Sequence, residues 1–576
     1  MAMRRVPLAL GPQPVTRQEF VRFFQRSVAN SGGADSTCLL FLIQRYIEDM
    51  HKGSRKADPH TLLPSAVVSL TVDHGMQASS SEMARHSGDV AQKMGVSRHV
   101  TSEIPWGTPP FPPKPAEGQA FEGIARNARY HLLFEAMNEV GAPVLATGHH
   151  GDDQVETSLM RLAKGTTEIG AGGMRRCRRW GMGSNGLKGS LGWAGLRGMK
   201  SWMIRPLLEV SKDRLLATCE EHKLEYVTDS TNFQPELTLR NAIRDMLAKD
   251  SLDPTCIGKR LPQDIWDSLQ QIQKGLSSLE SVSVDPRGGF DQLRSAVTVL
   301  SEQVEDIDSL VDSTLNRCHL PSPAGTCLVS SRGLATIRDP LVRRSLVLRI
   351  MRYVSFHGWG TLRADANRRK DNLEGVIQNM WTPDPFEAGI RPFVHGGGVL
   401  WTPVIVGPAT LRIPEEGTRA IPGSVEMVAW LASRQPPISP KKMERMGMVN
   451  PLRVDVTQQL ADKLAARRPS SKKGGVGVLE VLWDCRFTIS MDVDKIPDDL
   501  AREILDGQME VKILPNSRWI WPKVVVKKRG EDEDLTIHST IYFPTDGEVL
   551  QKRQNVHIQE IQVDWIKMEW IRSLAA

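Results

Sequence analysis

Short apolar runs alternate with amphipathic stretches through the first 250 residues of the chain. The runs at 66–72 and 144–147 are short and flanked by polar residues, which is typical of buried strands. The stretches at 81–94 and 122–140 carry apolar residues at helical spacing. This alternation of strand and helix predicts an α/β fold built on a parallel sheet.

The pattern changes after residue 255. Helical periodicity covers 264–279, 290–315 and 343–353, which predicts a mostly helical middle region over residues 255–395. Residues 396–576 contain short β-rich runs instead, and we predict a mixed, β-rich C-terminal region there. These runs lie at 401–406, 478–483, 511–514, 524–528 and 536–543. No catalytic motif or internal repeat is visible beyond residue 255.

The sequence SGGADS at 31–36 immediately precedes an apolar helical run. Gly32 and Gly33 allow a tight turn and a close approach to a ligand, and the start of a helix aims N–H groups at an anion such as phosphate. The loop lacks the GK[ST] ending of a Walker A loop. A cradle without lysine favours pyrophosphate and therefore nucleotidyl transfer. The alternative is an ordinary strand-to-helix turn.

Polar side chains follow two of the predicted strands. Asp73 and His74 come after the first strand, and the sequence GHHGDD at 148–153 follows the strand at 144–147. Ligands of open α/β sheets bind outside the carboxyl ends of strands, so we expect both groups at one edge. The alternative for Asp73 and His74 is a turn whose side chains bind local backbone groups.

Three acids on the following helix, Asp152, Asp153 and Glu156, are spaced to form a small cluster. Carboxylate oxygens beside a phosphate loop suit Mg²⁺, whereas the spacing is not a zinc signature. Helix capping by Asp152 is the structural alternative and is compatible with a functional role. On the preceding helix, Glu122, Arg126 and Arg129 share a face, for which a solvated salt-bridge row is the alternative.

Composition limits the classes of partner. The chain has 576 residues, a net charge of +6 and a pI near 8.9, which allows a nucleic-acid partner without requiring one. We expect no membrane partner, because no apolar run approaches the ~18 residues that a span needs. The seven cysteines include no CxxC pair, which argues against a zinc ribbon, an iron–sulfur centre or a disulfide framework.

Two segments are predicted insertions. Residues 102–119 contain six prolines and are expected to be extended surface chain. Residues 170–204 hold ten glycines, no acid and many basic residues interleaved with tryptophan. We expect a flexible arm there, which either binds single-stranded RNA or is disordered. Residues 1–30 carry five arginines and a single acid, Glu19, so residues 1–15 are a candidate targeting segment, whereas a helix is predicted from Thr16 onward.

Taken together, the motifs resemble the tRNA(Ile)-lysidine synthetase family, which belongs to the PP-loop ATP pyrophosphatases. They cover roughly residues 16–250 and comprise SGGADS, VDHG, EGIARNARY, ATGHHGDDQVETSLMRL, RPLLEVSKDRL, DSTN and LRNAIRDML. The resemblance implies a PP-loop domain that uses ATP and Mg²⁺. It also implies adenylation of the wobble cytidine in tRNA(Ile) with a CAU anticodon, followed by attack of free L-lysine to give lysidine.

The resemblance further implies roles for individual residues. ATP binding is implied for Ser31, Gly32, Gly33, Ala34, Asp35, Ser36, Asp73, His74 and His149. Catalysis is implied for Asp35, Arg126, Arg129, Asp153 and Glu156, and Mg²⁺ binding for Asp35 and Asp153. tRNA binding is implied for Arg205, Arg240, Asn241 and Arg244. The base that deprotonates the lysine amine is left open among Asp153, Glu156 and His149.

Two other functions stay open at this point. The chain could be another PP-loop tRNA-modifying or amidating ligase, or a tRNA-binding homologue without activity. A mitochondrial location is one hypothesis, based on the basic start and the long C-terminal half, and a cytoplasmic location is the alternative. A homodimer is a further option for its assembly.

Overall fold

The protein is described here from a computed structural model. The described residues are 32–53, 67–77, 79–115, 122–166, 168–183, 189–227, 236, 238–251, 254–257, 261–279, 281–282, 289–361, 370–395, 397–408, 410–413, 426–466, 477–516, 519–530, 535–537, 541–542 and 563–574. The candidate targeting segment 1–15, the helix predicted from Thr16, Ser31 of the loop and the DSTN motif at 229–232 lie outside them.

The chain divides into two compact units. The first contains residues 1–180 and 187–306, and the second contains 181–186 and 307–576. This division differs from the predicted domain boundary near 250, because the helices up to residue 306 belong to the first unit. No helix within the described ranges has the length and apolar character needed to cross a bilayer.

The described residues of the first unit form five strands and the helices around them. The strands are β1 (Val68–Asp73), β2 (Arg98–Glu103), β3 (Val144–Ala146), β4 (Cys177–Arg179) and β5 (Trp202–Ile204). The helices are α1 (Ala34–Gly53), α2 (Ser80–Lys93), α3 (Glu122–Glu139), α4 (Gly151–Leu162), α5 (Glu168–Ala171), α6 (Gly195–Lys200), α7 (Lys212–Glu221), α8 (Leu239–Ala248), α9 (Gln263–Ser277) and α10 (Gly289–Cys318), which ends in the second unit. Strand β1 pairs with β2, and β3 with β5, both in parallel as predicted.

Side-chain alternation along the strands produces two packed layers. Leu145 of β3 packs with Leu70 of β1 and Met137 of α3 on one side of the sheet. The next residue, Ala146, joins the cluster formed by α1 and α7 on the other side. Helices α4, α8, α9 and the start of α10 share a further apolar cluster. The strand ends are thereby held between helices, as in other α/β folds.

The structure differs from the prediction for both insertions. The described residues of 170–204, which leave out 184–188, do not form an unpacked arm, because β4 pairs antiparallel with β5 and Met203 is fully buried. Residues 102–103 belong to β2, and Phe111 is buried against Ile104. A run of glycine or proline lowers the propensity for regular structure, but apolar side chains within it still pack when a sheet edge is available.

The second unit is built from three sheets. One sheet joins β6 (His319–Leu320), β7 (Cys327–Ser330), β8 (Phe393–Val394), β9 (Val399–Val406), β10 (Leu411–Arg412) and β11 (Met427–Arg434). Another joins β12 (Val454–Asp455), β15 (Met509–Asn516), β16 (Trp521–Lys528) and β17 (Leu535–Ile537). The third joins β13 (Val478–Trp483), β14 (Phe487–Asp492), β18 (Ile541–Tyr542) and β19 (Ile566–Trp570). Its helices are α11 (Ser331–Ala335), α12 (Pro340–Val354), α13 (Lys370–Met380), α14 (Pro440–Arg445), α15 (Thr457–Ala465) and α16 (Asp498–Leu505).

Asp484 in the second unit neutralises two buried arginines. Its carboxylate accepts hydrogen bonds from Arg434 at 2.7 and 2.9 Å and from Arg486 at 2.6 Å. The backbone φ of Asp484 is +51°, which asparagine also tolerates. We expect Asp484→Asn to lower the free energy of unfolding by about 3 kcal/mol, because it leaves buried charge uncompensated. Urea denaturation of the full chain measures this loss.

The matched control is Asp499→Asn, which removes an acid from an exposed ion pair with Arg502. Its side chain is 88% exposed, so the expected change is within about 0.5 kcal/mol. Equal effects of the two substitutions would contradict a buried network at Asp484.

Candidate active site

The loop that precedes α1 is shaped by glycine. Gly32 has a φ of +80°, and the backbone oxygen of Gly33 accepts hydrogen bonds from the Thr37 N–H and the Ser36 hydroxyl, both at 3.0 Å. Gly148, just after β3, approaches this turn so closely that a Cβ there would lie 3.0 Å from the backbone of Asp35 and Ser36. The end of β3 is therefore placed directly against the start of α1.

Asp35, the second residue of α1, is the charged centre of this loop. Its Oδ1 lies 2.5 Å from Lys212 Nζ, at the start of α7, and its Oδ2 lies 3.6 Å from His150 Nε2. Burial alone would raise the pKa of Asp35, but His150 and Lys212 lower it to about 2. The carboxylate is therefore ionised at neutral pH.

His150 connects Asp35 to the acids of α4. It is the N-cap residue of α4, and its Nδ1 accepts the Asp152 N–H at 3.2 Å. Its Nε2 lies 3.4 Å from Asp153 Oδ2, which also accepts the backbone N–H of His150 at 3.1 Å. The N-cap residue of α4 is therefore His150, and the capping role predicted for Asp152 was wrong. The Asp152 carboxylate instead binds Arg294 at 2.9 Å.

Glu156 is held by two arginines of α8. Its carboxylate accepts from Arg240 Nε at 2.8 Å and from Arg244 Nε at 2.6 Å. The same arginines lie 3.8 and 3.7 Å from Asp153. Burial raises the pKa of Glu156, and the Glu156 carboxylate raises the pKa of Arg244 although burial alone would lower it. The short distances indicate a charged, buried cluster.

The remaining tRNA-binding candidates lie on α8 and after β5. The backbone N–H of Asn241 donates to Thr238 Oγ1 at 3.1 Å, and Thr238 is thereby the N-cap residue of α8. Arg205 is buried and donates to the Arg175 carbonyl at 2.7 Å. Burial lowers its pKa to about 10, so the guanidinium is still charged at neutral pH.

The arginines of α3 lie beside an aromatic ring. Arg126 and Arg129 are 5.6 and 5.8 Å from the centroid of Tyr130. Burial, together with the charge of Arg129, lowers the pKa of His74 to about 4. These side chains therefore form a positively charged region at the end of β1.

Asp73 and His149 bind local groups. The Asp73 carboxylate accepts from Ser81 at 2.7 Å and from the Gly75 N–H at 2.8 Å, which is the turn considered as an alternative from the sequence. His149 Nδ1 lies 2.7 Å from Thr147 Oγ1. Burial and nearby arginines lower the pKa of His149 to about 3, although Asp153 opposes the shift.

Comparison with known families explains this arrangement. The family model of the PP-loop domain matches residues 16–251. These residues form a PP-loop domain. The matched residues contain all seven motifs recognised in the sequence. They include Asp35, Asp153, Glu156 and the arginines of α8.

Relatives of known name match the same part of the chain. The tRNA(Ile)-lysidine synthase of Bacillus licheniformis is 38% identical over 135 residues, which are 23% of this chain and 25% of that protein. The Bacillus subtilis synthase is 32% identical over 191 residues, 33% of this chain and 34% of the relative. The Bradyrhizobium sp. synthase is 33% identical over 231 residues, 40% of this chain and 54% of the relative. The predicted resemblance is thereby confirmed, and the matches span at most about half of these relatives' length.

A solved structure was also similar over much of its length. The U34-tRNA thiolase NcsA from Methanococcus maripaludis is 15% identical, with 50% of this chain and 88% of that chain covered. The TM-score is 0.28, which supports no conclusion about function.

The donor set of the PP-loop domain suits Mg²⁺ bound together with a nucleotide. Asp35 and Asp153 both face the Nε2 of His150, so their carboxylates converge on one place. Within the described ranges, no group of three or more His, Cys, Asp or Glu side chains could hold a metal. Two carboxylates completed by phosphate oxygens and water are a normal Mg²⁺ environment.

Sequence reasoning missed several residues that the first unit brings to this site. Lys212, which contacts Asp35, lies 177 residues away from it in the sequence. The sequence placed His150 at the end of the strand but predicted no function for it, whereas its imidazole lies beside Asp35. Arg294, on α10, lay outside the recognised motifs. A single lysine or arginine on a helix has no pattern that distinguishes it from a solvated charge, so no sequence signal identified these contacts.

The low pKa of His149 predicts acid sensitivity. Its folded pKa of about 3 lies below the usual value of 6.5, so the unfolded chain binds more protons between these values. The stability contributed by neutral His149 is therefore present above about pH 6.5 and is lost as pH falls. We expect His149→Gln to reduce the drop in thermal midpoint between pH 7 and pH 5. An unchanged pH dependence in this variant would contradict a neutral, buried imidazole.

Proposed function

We propose that this chain is a tRNA(Ile)-lysidine synthetase. The observation that carries the proposal is the ionised Asp35 at the head of α1, joined through His150 to Asp153 inside a PP-loop domain. In the first step, the C2 carbonyl oxygen of the wobble cytidine attacks the α-phosphorus of ATP and pyrophosphate leaves. In the second step, the ε-amine of free lysine attacks C2, loses a proton and expels AMP.

In this proposal the loop binds the leaving pyrophosphate. The backbone of Gly32, Gly33 and the first turn of α1 supplies N–H groups, and Lys212 supplies the positive charge that the loop itself lacks. Asp35 and Asp153 would hold Mg²⁺, which neutralises phosphate charge when bound. Arg126 and Arg129 would stabilise negative charge on the transferred group.

The three candidate bases differ in how their environments restrict them. His149 has a pKa of about 3, and its Nδ1 lies against Thr147. Asp153 has a pKa lowered by His150, although burial opposes that shift, and both oxygens of Glu156 accept from arginine. A base with a pKa far below the working pH abstracts protons poorly. We therefore propose that Asp153 acts through its charge rather than by taking the proton. The pKa of Glu156 is raised by burial, but both of its oxygens are held by arginine, and we propose that it acts by positioning Arg240 and Arg244.

The test measures pyrophosphate release by purified full-length protein with ATP and Mg²⁺. It includes or omits CAU-anticodon tRNA(Ile) and lysine, and labelled lysine reports transfer to the RNA. We expect release that depends on tRNA, together with incorporation of the label. Release with a different acceptor and no lysine transfer would indicate another PP-loop ligase. RNA binding without either product by folded protein would indicate a binding homologue.

A further inference from the structure

Arginines from two further elements approach Tyr130 on α3. Arg178 on β4 and Arg205 after β5 both contact the sulfur of Met203, at 3.6 and 3.1 Å from their Nη2 atoms. Strand pairing explains this contact, since Arg178 lies opposite Met203 in the β4–β5 register. Trp180, two residues after Arg178, has its ring centroid 5.8 Å from that of Tyr130.

The side chains of Arg126, Arg178 and Arg205 are called the arginine pocket here; Arg126 lies over the ring of Tyr130, and the charges of all three act on Tyr130. In the part of the chain that the structure describes, no carboxylate forms an ion pair with any of the three arginines. Arg205 is only 5% exposed, and its buried Nε has no hydrogen-bond acceptor. Burial alone would raise the pKa of Tyr130, but the surrounding arginines lower it. Arg205 is buried and Arg126 and Arg178 are exposed, and guanidinium groups without a carboxylate partner favour an anionic ligand.

We propose that the arginine pocket binds a phosphodiester group of the RNA substrate, with Arg178 as a contact supplied by the basic insertion. The identity of the RNA rests on the proposed function. Phosphate could come from ATP or from RNA, and two features favour RNA. In the proposed function the loop and Lys212 bind the pyrophosphate and Arg126 acts on the phosphate that is transferred to the RNA, whereas Arg178 and Arg205 have no role toward ATP. The pocket also adds aromatic rings, Tyr130 and Trp180, which suit unstacked nucleotides.

The experiment compares Arg178→Gln with Arg98→Gln in the full chain. Both arginines are exposed, but Arg98 begins β2 and so lies at the opposite end of the strands from the loop edge. Binding of a labelled CAU anticodon stem-loop is measured by fluorescence anisotropy over a range of salt concentrations. ATP affinity is measured by calorimetry, and thermal unfolding verifies that each variant is folded.

We expect Arg178→Gln to weaken RNA binding by about tenfold and to reduce the slope of log K against log salt by about 0.7. Arg98→Gln should leave both quantities unchanged, and neither variant should change ATP affinity. Arg178→Lys should retain the slope but lose part of the affinity, because lysine cannot form the two-pronged contact of a guanidinium group.

Two results would overturn the inference. A loss of ATP affinity with unchanged RNA binding would assign the pocket to nucleotide phosphates, and equal losses in the Arg178 and Arg98 variants would indicate only general charge attraction. Failure of the proposed function would give a different result. If wild-type protein transfers no lysine, but Arg178→Gln weakens RNA binding and Arg98→Gln does not, the arginine pocket is supported and the enzymatic assignment is wrong.

Discussion

Asp35→Asn is expected to reduce tRNA-dependent pyrophosphate release by about 10²- to 10³-fold, the range found when one charge-stabilising group is removed from an active site. The carboxylate lies between Lys212 and His150 and is ionised at neutral pH. Asparagine retains the size of the side chain but carries no charge to neutralise Lys212 and is a weaker, neutral ligand for a cation. The measurement is single-turnover pyrophosphate release at saturating ATP and tRNA.

The matched control for this prediction is Asp89→Asn on α2, which changes an exposed acid of the same unit. Its activity should match wild type. tRNA affinity should be retained by Asp35→Asn, since the residue is proposed to act on ATP and Mg²⁺. Full activity in the folded Asp35 variant would remove the main support for nucleotidyl transfer at this loop.

Glu156→Gln is expected to lower the free energy of unfolding by about 2 kcal/mol, because it removes a buried carboxylate and leaves the half-buried Arg240 and Arg244 with one fewer charge to neutralise them. Asp153 offsets part of the loss, since both arginines lie within 4 Å of it. We also expect lysine transfer to fall, because the arginines that contact Asp153 would no longer be held by Glu156. Chemical denaturation and labelled lysine transfer measure the two effects.

This variant separates the two roles considered for Glu156. If Glu156 were the base that deprotonates the lysine amine, the substitution would abolish transfer even under conditions in which the variant is fully folded, because the arginine contacts are lost in either case. If it fixes α8 against α4, stability and transfer fall together. Glu139→Gln, at the exposed end of α3, is the control and should change neither.

The two halves of the PP-loop domain were predictable to different degrees. Helix α1 after the glycine turn, strand β1 ending at Asp73 and helix α3 all follow from local periodicity. Strand β1 and helix α3 lie within two residues of their predicted bounds, whereas α1 extends well beyond the apolar run that predicted it. Strand β4 was missed, because its basic and glycine-rich surroundings give no strand pattern. It forms because β5 offers it an edge to pair with.

The sequence alone determined which chemical groups are available: a lysine-free glycine turn, an acid cluster on one helix face, and an arginine pair on another. These depend on neighbours in the chain, where glycine freedom and helical spacing decide the outcome. Only the tertiary structure decided which of these groups meet. Asp35 reaches Lys212 across 177 positions and Glu156 reaches Arg240 across 84, because packing of α7 and α8 brings them together. Burial in that packing then sets the charge of each group, which no local pattern contains.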